Sequence, residues 1–290
     1  MSAPSYIIIT PAKNEADYLP KTIAAVVAQT LRPRKWIIVN DGSSDTTARI
    51  IDAAANKDPW IVRLHREATG IRKPGGPHIA AFYAGYELVS AEPWDYLVKM
   101  DADVSFEPSY FESCLARFQT DPQLGIGGGA ICTSIRGVLV EESPGDPLFH
   151  VRGATKIYRR ACWDAIGGII KAAGWDSFDE LKANMLDWKT YTFKDLELHH
   201  LRPQGGSYSA WKNWVKNGLS NYICGYHPLF MVAKCLKRAV ATRSLTMTAG
   251  LGYGFLSGYC KRVPQVEPAV VRYVRREQLK CLSFRTSLWS

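Results

Sequence analysis

No stretch of this chain reaches the ~18 apolar residues of a clear membrane span. Its N-terminus, MSAPSYIIIT, carries no basic residue, and its apolar run breaks at Pro11. These two lacks argue against a spanning helix and against a signal peptide. Cysteine pairing is missing as well. The seven cysteines are scattered with no Cys-x-x-Cys among them, which disfavours a disulfide scaffold or a cysteine zinc site and reads as free thiols in a reducing cytoplasm. No Gly-x-Gly-x-x-Gly follows the first apolar run, so a dinucleotide oxidoreductase is disfavoured. There is no internal repeat and no low-complexity linker. What remains is ordinary globular composition, 47% apolar and 22% charged over 290 residues, enough for one large α/β domain or for a domain with a substantial appendage.

Acidic residues nearly vanish near the C-terminus. From residue 216 onward, 12 Lys and Arg face only Glu267 and Glu277, whereas the first 215 residues hold 24 basic and 25 acidic residues. A nearly neutral body thus carries a strongly basic tail. That tail includes YICGYHPLFMVAKCL and an uncharged stretch, Ser244–Cys260, with Arg243 before it and Lys261 and Arg262 after it. Apolar segments edged by Lys and Arg suit the headgroup boundary of an anionic membrane. A helix pair packed on the body with a solvated basic face is the plainer alternative, and nucleic acid is the weakest reading.

The first hundred residues alternate strand and helix signals. Tyr6–Thr10, Trp36–Asn40, Ile61–Leu64 and Tyr96–Met100 read as strands. Helical spacing joins Leu19, Ile23, Val26 and Val27, a second helix opens near Ser43 or Ser44 as N-caps, and a third covers Ile79–Val89. This order implies a mostly parallel, Rossmann-like sheet flanked by helices, with ligands beyond the carboxyl ends of its strands. The sequence there reads PAKNE, DGSSD and DAD. Further on, LGIGGGAICTS is a strand candidate and ATKIYRRACWDAIGGI a strand leading into a short helix. Phe178–Leu186 is a helix candidate, and KDLELHHLRP looks like a strand end.

Several residues there can carry chemistry. Asp41 at a strand tip can accept from a ring N–H or a ribose hydroxyl, although D-G-S-S-D alone is equally a turn and a cap. Asp101 and Asp103 end an apolar strand two residues apart. Carboxylates so placed repel unless a cation lies between them, and Mg2+ or Mn2+ takes few carboxylates and completes its shell with water and phosphate oxygens. Solvated acids at a strand end are the alternative. His199 or His200 could add a metal ligand, and Arg202 could meet a phosphate. Arg72 and Lys73 precede a helix as phosphate or acceptor contacts, or belong to a solvated loop. Asp176, Asp179 and Glu180 cluster beside Trp175 and Phe178. An acid against an aromatic wall can serve as a general base, and an acidic helix start complements the helix dipole equally well.

Together these residues resemble glycosyltransferase family 2, the GT-A fold of inverting, nucleotide-sugar-dependent transferases. The likeness rests on PAKNE at 11–15, VNDGSSDTT at 39–47 and VKMDADVSF at 98–106, and more loosely on 153–168 and the acidic cluster after it. The resemblance implies a UDP- or GDP-sugar donor, with Pro11, Glu15 and Asp41 on base and ribose, Asp101 near ribose or metal, and Asp103 on the divalent ion. Lys73 and Arg202 remain donor contacts and His200 a further metal ligand. The family's Glu-Asp pair is altered, since Asp176 takes the second place and Trp175 replaces the Glu. Asp179 is the alternative base and Glu180 its neighbour. Gln-x-x-Arg-Trp is absent, which argues against a processive polysaccharide synthase.

The expected division is a nucleotide-sugar half at 1–120, an acceptor half at 121–215 and a basic, aromatic helical C-terminal tail at 216–290. The implied activity is metal-dependent inverting transfer to a hydroxyl acceptor, sugar or lipid-linked, in glycan or polysaccharide synthesis. The implied site of action is cytoplasmic, peripheral on an anionic membrane, with no nucleic acid partner. A non-catalytic relative tethering partners at a membrane and a sugar nucleotidyltransferase stay as alternatives. PAKNE, with one Lys and no glycine, fits the latter poorly.

Overall fold

The computed structural model describes residues 4–67, 76–172, 174–202, 210–242 and 244–290. The first four strands are β1 (Tyr6–Ala12), β2 (Lys35–Asp41), β3 (Ile61–Arg66) and β4 (Tyr96–Met100), alternating with helices α1 (Leu19–Val27), α2 (Thr47–Lys57) and α3 (Gly76–Glu87). They form a parallel block in the order β3-β2-β1-β4. Both sides of β1 are buried. Tyr6 and Ile8 face one core with Leu19, Ile51 and Phe111, while Ile7 and Ile9 face the other with Ile79 and Phe82. That is why the strand reads as an unbroken apolar run.

The sheet then becomes mixed. A short strand β5 (Val104–Phe106) follows β4 directly, then α4 (Tyr110–Thr120), β6 (Leu124–Ile135) and β7 (Val138–Glu141), the last two a hairpin. β8 (Thr155–Arg159) runs antiparallel beside β4 and leads into α5 (Arg160–Ile166) and α6 (Trp175–Met185). β9 (Lys189–His200) lies between β6 and β5. Three elements of this part were not read from the sequence, β5, α4 and the β7 arm. β5 matters to the site because its antiparallel pairing sets Val104 opposite His200 and Ser105 opposite His199.

Among the described residues that follow are four helices, α7 (Ala210–Ile223), α8 (Pro228–Thr242), α9 (Leu245–Cys260) and α10 (Pro268–Leu282). α7 begins before the charge boundary at 216. A third core, including Tyr222, Met231, Phe255, Val270 and Val274, joins these helices to Phe178 and Leu181 of α6. All seven cysteines are free thiols.

Candidate active site

The carboxyl ends of β1, β2 and β4 bring PAKNE, DGSSD and DAD together. The second helix starts at Thr47, later than the sequence suggests, because Ser43 and Ser44 have other work. Ser43 Oγ accepts from Asn14 N–H at 3.0 Å, and Ser44 N–H donates to Asn14 Oδ1 at 2.8 Å. Asp45 Oδ1 accepts from Thr47 N–H at 2.9 Å, and Glu15 N–H donates to Thr47 Oγ1 at 2.8 Å. The two loops are stitched into one rim. Asn14 (φ 55°) and Gly42 (φ 67°) supply its left-handed turns. Pro11 is buried in β1 opposite Val39.

Asp41 is 5% exposed, and its Oδ1 lacks a hydrogen bond even though Arg66 Nη1 lies 3.4 Å away. Among the described residues, three buried carboxylate oxygens are unsatisfied in this way, on Asp41, Asp176 and Glu92. Glu92 pairs with Lys35 away from the strand tips. The other two belong to the candidate site. A buried acceptor without a donor is costly unless a ligand supplies one.

Asp101 and Asp103 point into different surroundings. Asp101 Oδ1 is bonded to Lys99 and lies 3.4 Å from His78 Nε2. Burial alone would raise its pKa, but Lys99 and His78 outweigh burial and hold the carboxyl well below the usual range. Lys99 itself is 1% exposed. It also donates to the Gly153 carbonyl at 2.5 Å and sits 5.0 Å from the Trp175 ring centre.

Asp103 lies in a chain of alternating charge. Arg202 Nε donates to its Oδ2 at 3.0 Å, and the same guanidinium reaches Glu15. On the other side His200 Nε2 lies 3.5 Å from Asp103 Oδ2, while its Nδ1 meets Glu142 Oε1 at 2.9 Å. Arg152 caps the far oxygen of Glu142 at 2.5 Å. Hydrogen bonding to Asp103 and Glu142 pushes His200 up to about 10. Burial and the nearby Asp103 carboxylate push Glu15 up to about 7, against the pull of Arg202.

Whether these residues suit a divalent cation follows from the donor set. Among the described residues, no three His, Cys, Asp or Glu side chains surround one point. An all-protein cage is therefore a poor fit. A site that takes one or two protein ligands and completes its shell with phosphate oxygens and water fits Asp103, with His200 able to join only after losing the proton it shares with Asp103, since an imidazolium has no lone pair to give. Asp101, already engaged by Lys99 and His78, fits less well as a ligand.

The three acids of α6 separate sharply. Asp179 and Glu180 have fully buried side chains gathered round an equally buried Lys156. Lys156 Nζ donates to Asp179 Oδ1 at 3.0 Å and lies 2.5 Å from Glu180 Oε1. Tyr158 Oη donates to Asp179 Oδ2 at 2.5 Å, Val151 N–H to Glu180 Oε1 at 2.9 Å, and His150 Nδ1 lies 2.8 Å from Glu180 Oε2. Burial would lower the pKa of Lys156, but Asp179 and Glu180 outweigh it and keep the ammonium charged. Asp176 instead keeps 43% of its side chain exposed, with Lys156 Nζ 3.8 Å from its Oδ1. It lies over the backbone of Gly153, where an added Cβ would stand 2.5 Å from Asp176 Oδ1 and 2.6 Å from Trp175. Gly153 therefore joins the two clusters, since its carbonyl accepts from Lys99, which also holds Asp101, while its Cα lies under Asp176.

Lys99, Lys156, His78, Glu142 and Arg152 were not among the candidates read from the sequence. A Lys inside an apolar strand, as in YLVKM or TKIYR, is itself a signal, because a buried ammonium must find counter-charges. Lys73 and Arg72 lie outside the described residues.

Set beside known proteins, residues 7–160 match the family model for glycosyl transferase family 2. An undecaprenyl-phosphate mannosyltransferase of Micrococcus luteus is 33% identical over 115 residues, 39% of this chain and 44% of that protein. A chondroitin synthase of Pasteurella multocida is 28% identical over 121 residues, 42% of this chain and 12% of that protein. The chain thus spans less than half the length of either relative. S. aureus TarS 1-349 in complex with UDP-GlcNAc shares the fold at a TM-score of 0.59 and 15% identity, over 97% of this chain and 92% of that one. Mannosyltransferase PcManGT from Pyrobaculum calidifontis, in complex with GDP-Man and Mn2+, does so at 0.57 and 17%, over 97% and 81%. At these identities the likeness concerns the fold alone.

Proposed function

Because this chain belongs to glycosyl transferase family 2, we propose that it moves a sugar from a nucleoside-diphosphate donor to an acceptor hydroxyl with inversion at the anomeric carbon. The observation that carries this reading is the pair of unsatisfied carboxylate oxygens, Asp41 Oδ1 and Asp176 Oδ1, on the two sides of the Asp101–Asp103 strand end. One is suited to a base or ribose donor group, and the other belongs to a carboxylate free to take a proton.

In this proposal Asp41, Glu15 and the Pro11 backbone hold the nucleoside, and Asp101, fixed by Lys99 and His78, orients the ribose. Asp103 with His200 would hold Mg2+ or Mn2+, which when bound would neutralise charge on the departing diphosphate. Arg202, already near that position, meets phosphate oxygens as a planar guanidinium can. Asp176 removes the acceptor proton while the acceptor oxygen attacks. Its partial exposure supports that role, whereas Asp179 and Glu180, buried on Lys156, are suited to holding α6 and Asp176 in place. Proximity does much of the work, since both reactants are held in attack geometry.

The division into a donor half at 1–120, an acceptor half at 121–215 and a tail at 216–290 belongs to the same proposal. So does an acceptor on a lipid carrier or a glycan, met at the cytoplasmic face of a membrane. No helix among the described residues is long and apolar enough to cross one. The test is a thermal-shift and diphosphate-release screen of UDP-, GDP- and dTDP-sugars with Mn2+ or EDTA. One donor should stabilise the chain with metal and lose that effect in Asp103→Ala. Failure of every nucleotide-sugar under every metal condition overturns the reading.

A further inference from the structure

α9 is apolar on both sides. Its inner face, Gly250, Leu251, Gly254, Phe255 and Gly258, is buried. The glycines let α7 approach so closely that a Cβ on Gly254 would stand 2.1 Å from the Val215 carbonyl oxygen. Its outer face carries Leu245 and Leu256, 82% and 62% exposed, with Tyr253 between them. A helix apolar all round belongs in an interior, yet half of this one is bare. α8, which packs on α9, repeats the pattern with Leu229, Val232, Leu236 and Val240 exposed at helical spacing. Exposed Lys237 lies on α8, and Lys261 and Arg262 follow α9. Residues 216–266 contain no acid at all.

We infer that the outer faces of α8 and α9 dock on the surface of an anionic lipid bilayer and lie within the headgroup boundary of one leaflet. Charge selects the occupant. A second copy would set two acid-free basic faces against each other, and a nucleic acid would answer the charge but leave the leucine stripe bare. An anionic leaflet answers both. Spanning is excluded by length, since 16 helical residues reach only ~24 Å against a ~30 Å hydrocarbon core.

The docked face is also tied to the candidate site. α7, packed on α9, ends against the residue before α6, with Cys224 Sγ 3.6 Å from the Gly174 carbonyl oxygen. Docking would hold Asp176 at the membrane surface. This last step rests on the proposed glycosyl transfer, while the docking does not.

The experiment is co-sedimentation of the full chain with phosphatidylcholine vesicles with and without phosphatidylglycerol, in the absence of any donor, so its failure is separable from failure of the transferase reading. Binding should require phosphatidylglycerol and weaken with salt. Leu236→Glu combined with Leu256→Glu should cut it at least ~10-fold, and Lys237→Gln or Lys261→Gln about fivefold each, all without changing donor-induced thermal shift. The inference fails if the parent chain ignores anionic vesicles, if the double Glu variant binds as well as the parent, or if light scattering shows a dimer that the same substitutions dissolve.

Discussion

Two groups of charged side chains lie on either side of Gly153, and they differ in one respect above all. Around Lys156 the side chains of Asp179 and Glu180 are wholly excluded from water, and the hydroxyl of Tyr158 and the imidazole of His150 close the remaining positions. Around Asp103 the charges of Glu15, Arg202 and His200 keep 16%, 38% and 21% of their side chains in contact with solvent. The first group is a closed knot. In a dry interior each charge depends on all the others, so it can hold a helix but has no free oxygen to offer. The second is a chain of partners that water can replace one at a time, as the proposed admission and release of a diphosphate would require. The same residue types do opposite work, and exposure decides which.

The comparison breaks most visibly at Lys156. Lys156→Met leaves two buried carboxylates without their cation, and the expected loss is ~3–5 kcal/mol of stability, read as a large fall in the urea midpoint. A midpoint close to the parent's would mean that the knot is not structural. Asp176→Asn tests the other side of that boundary. Stability and donor binding should hold while turnover falls roughly 100- to 10,000-fold, the range for a lost proton acceptor. Equal losses in Asp176→Asn and Asp179→Asn, with both proteins folded, would erase the distinction between exposed base and buried anchor. Asp103→Ala sharpens the open group. The stabilisation given by donor with Mn2+, about 2.7 kcal/mol at a hundredfold excess over Kd, should vanish while the metal-free melting temperature stays near the parent's. A metal-dependent shift that persists removes Asp103 from the cation site.

The open group was the more legible of the two in the sequence. Asp41, Asp101 and Asp103 stand at the ends of apolar runs, and a parallel sheet puts such positions on one edge whatever follows. His200 was recognisable as a candidate, but its meeting with Asp103 needed β5, a three-residue strand too short to leave a periodic signal. The closed knot was not legible. Asp179 and Glu180 sit in a helix start where acids are ordinary, and what buries them is Lys156 from β8, placed by an antiparallel register that also sets Lys99 opposite Lys156. Ser43 and Ser44 looked like helix caps because local sequence favours that. Their actual partner, Asn14, lies on a different loop, and only the fold brings it near.

The smallest expected effect separates the two groups by pH. Glu15 titrates near 7 in the folded chain, above the ordinary 4.5, because burial and Asp103 disfavour its charge more than Arg202 favours it. Between those values the folded chain keeps a proton that the unfolded chain has released, so the unfolded state binds fewer protons and stability falls as pH rises through the window. Glu15→Gln keeps an acceptor for Arg202 and removes the titration. Its melting temperature, compared with the parent's from pH 4.5 to pH 8, should start level and end higher, by on the order of 1 kcal/mol once solvent screening is allowed for. The difference curve isolates Glu15, since every other acid is common to both proteins. A flat difference would mean that Arg202 holds Glu15 ionised throughout, and the open group would then be as tightly balanced as the knot around Lys156.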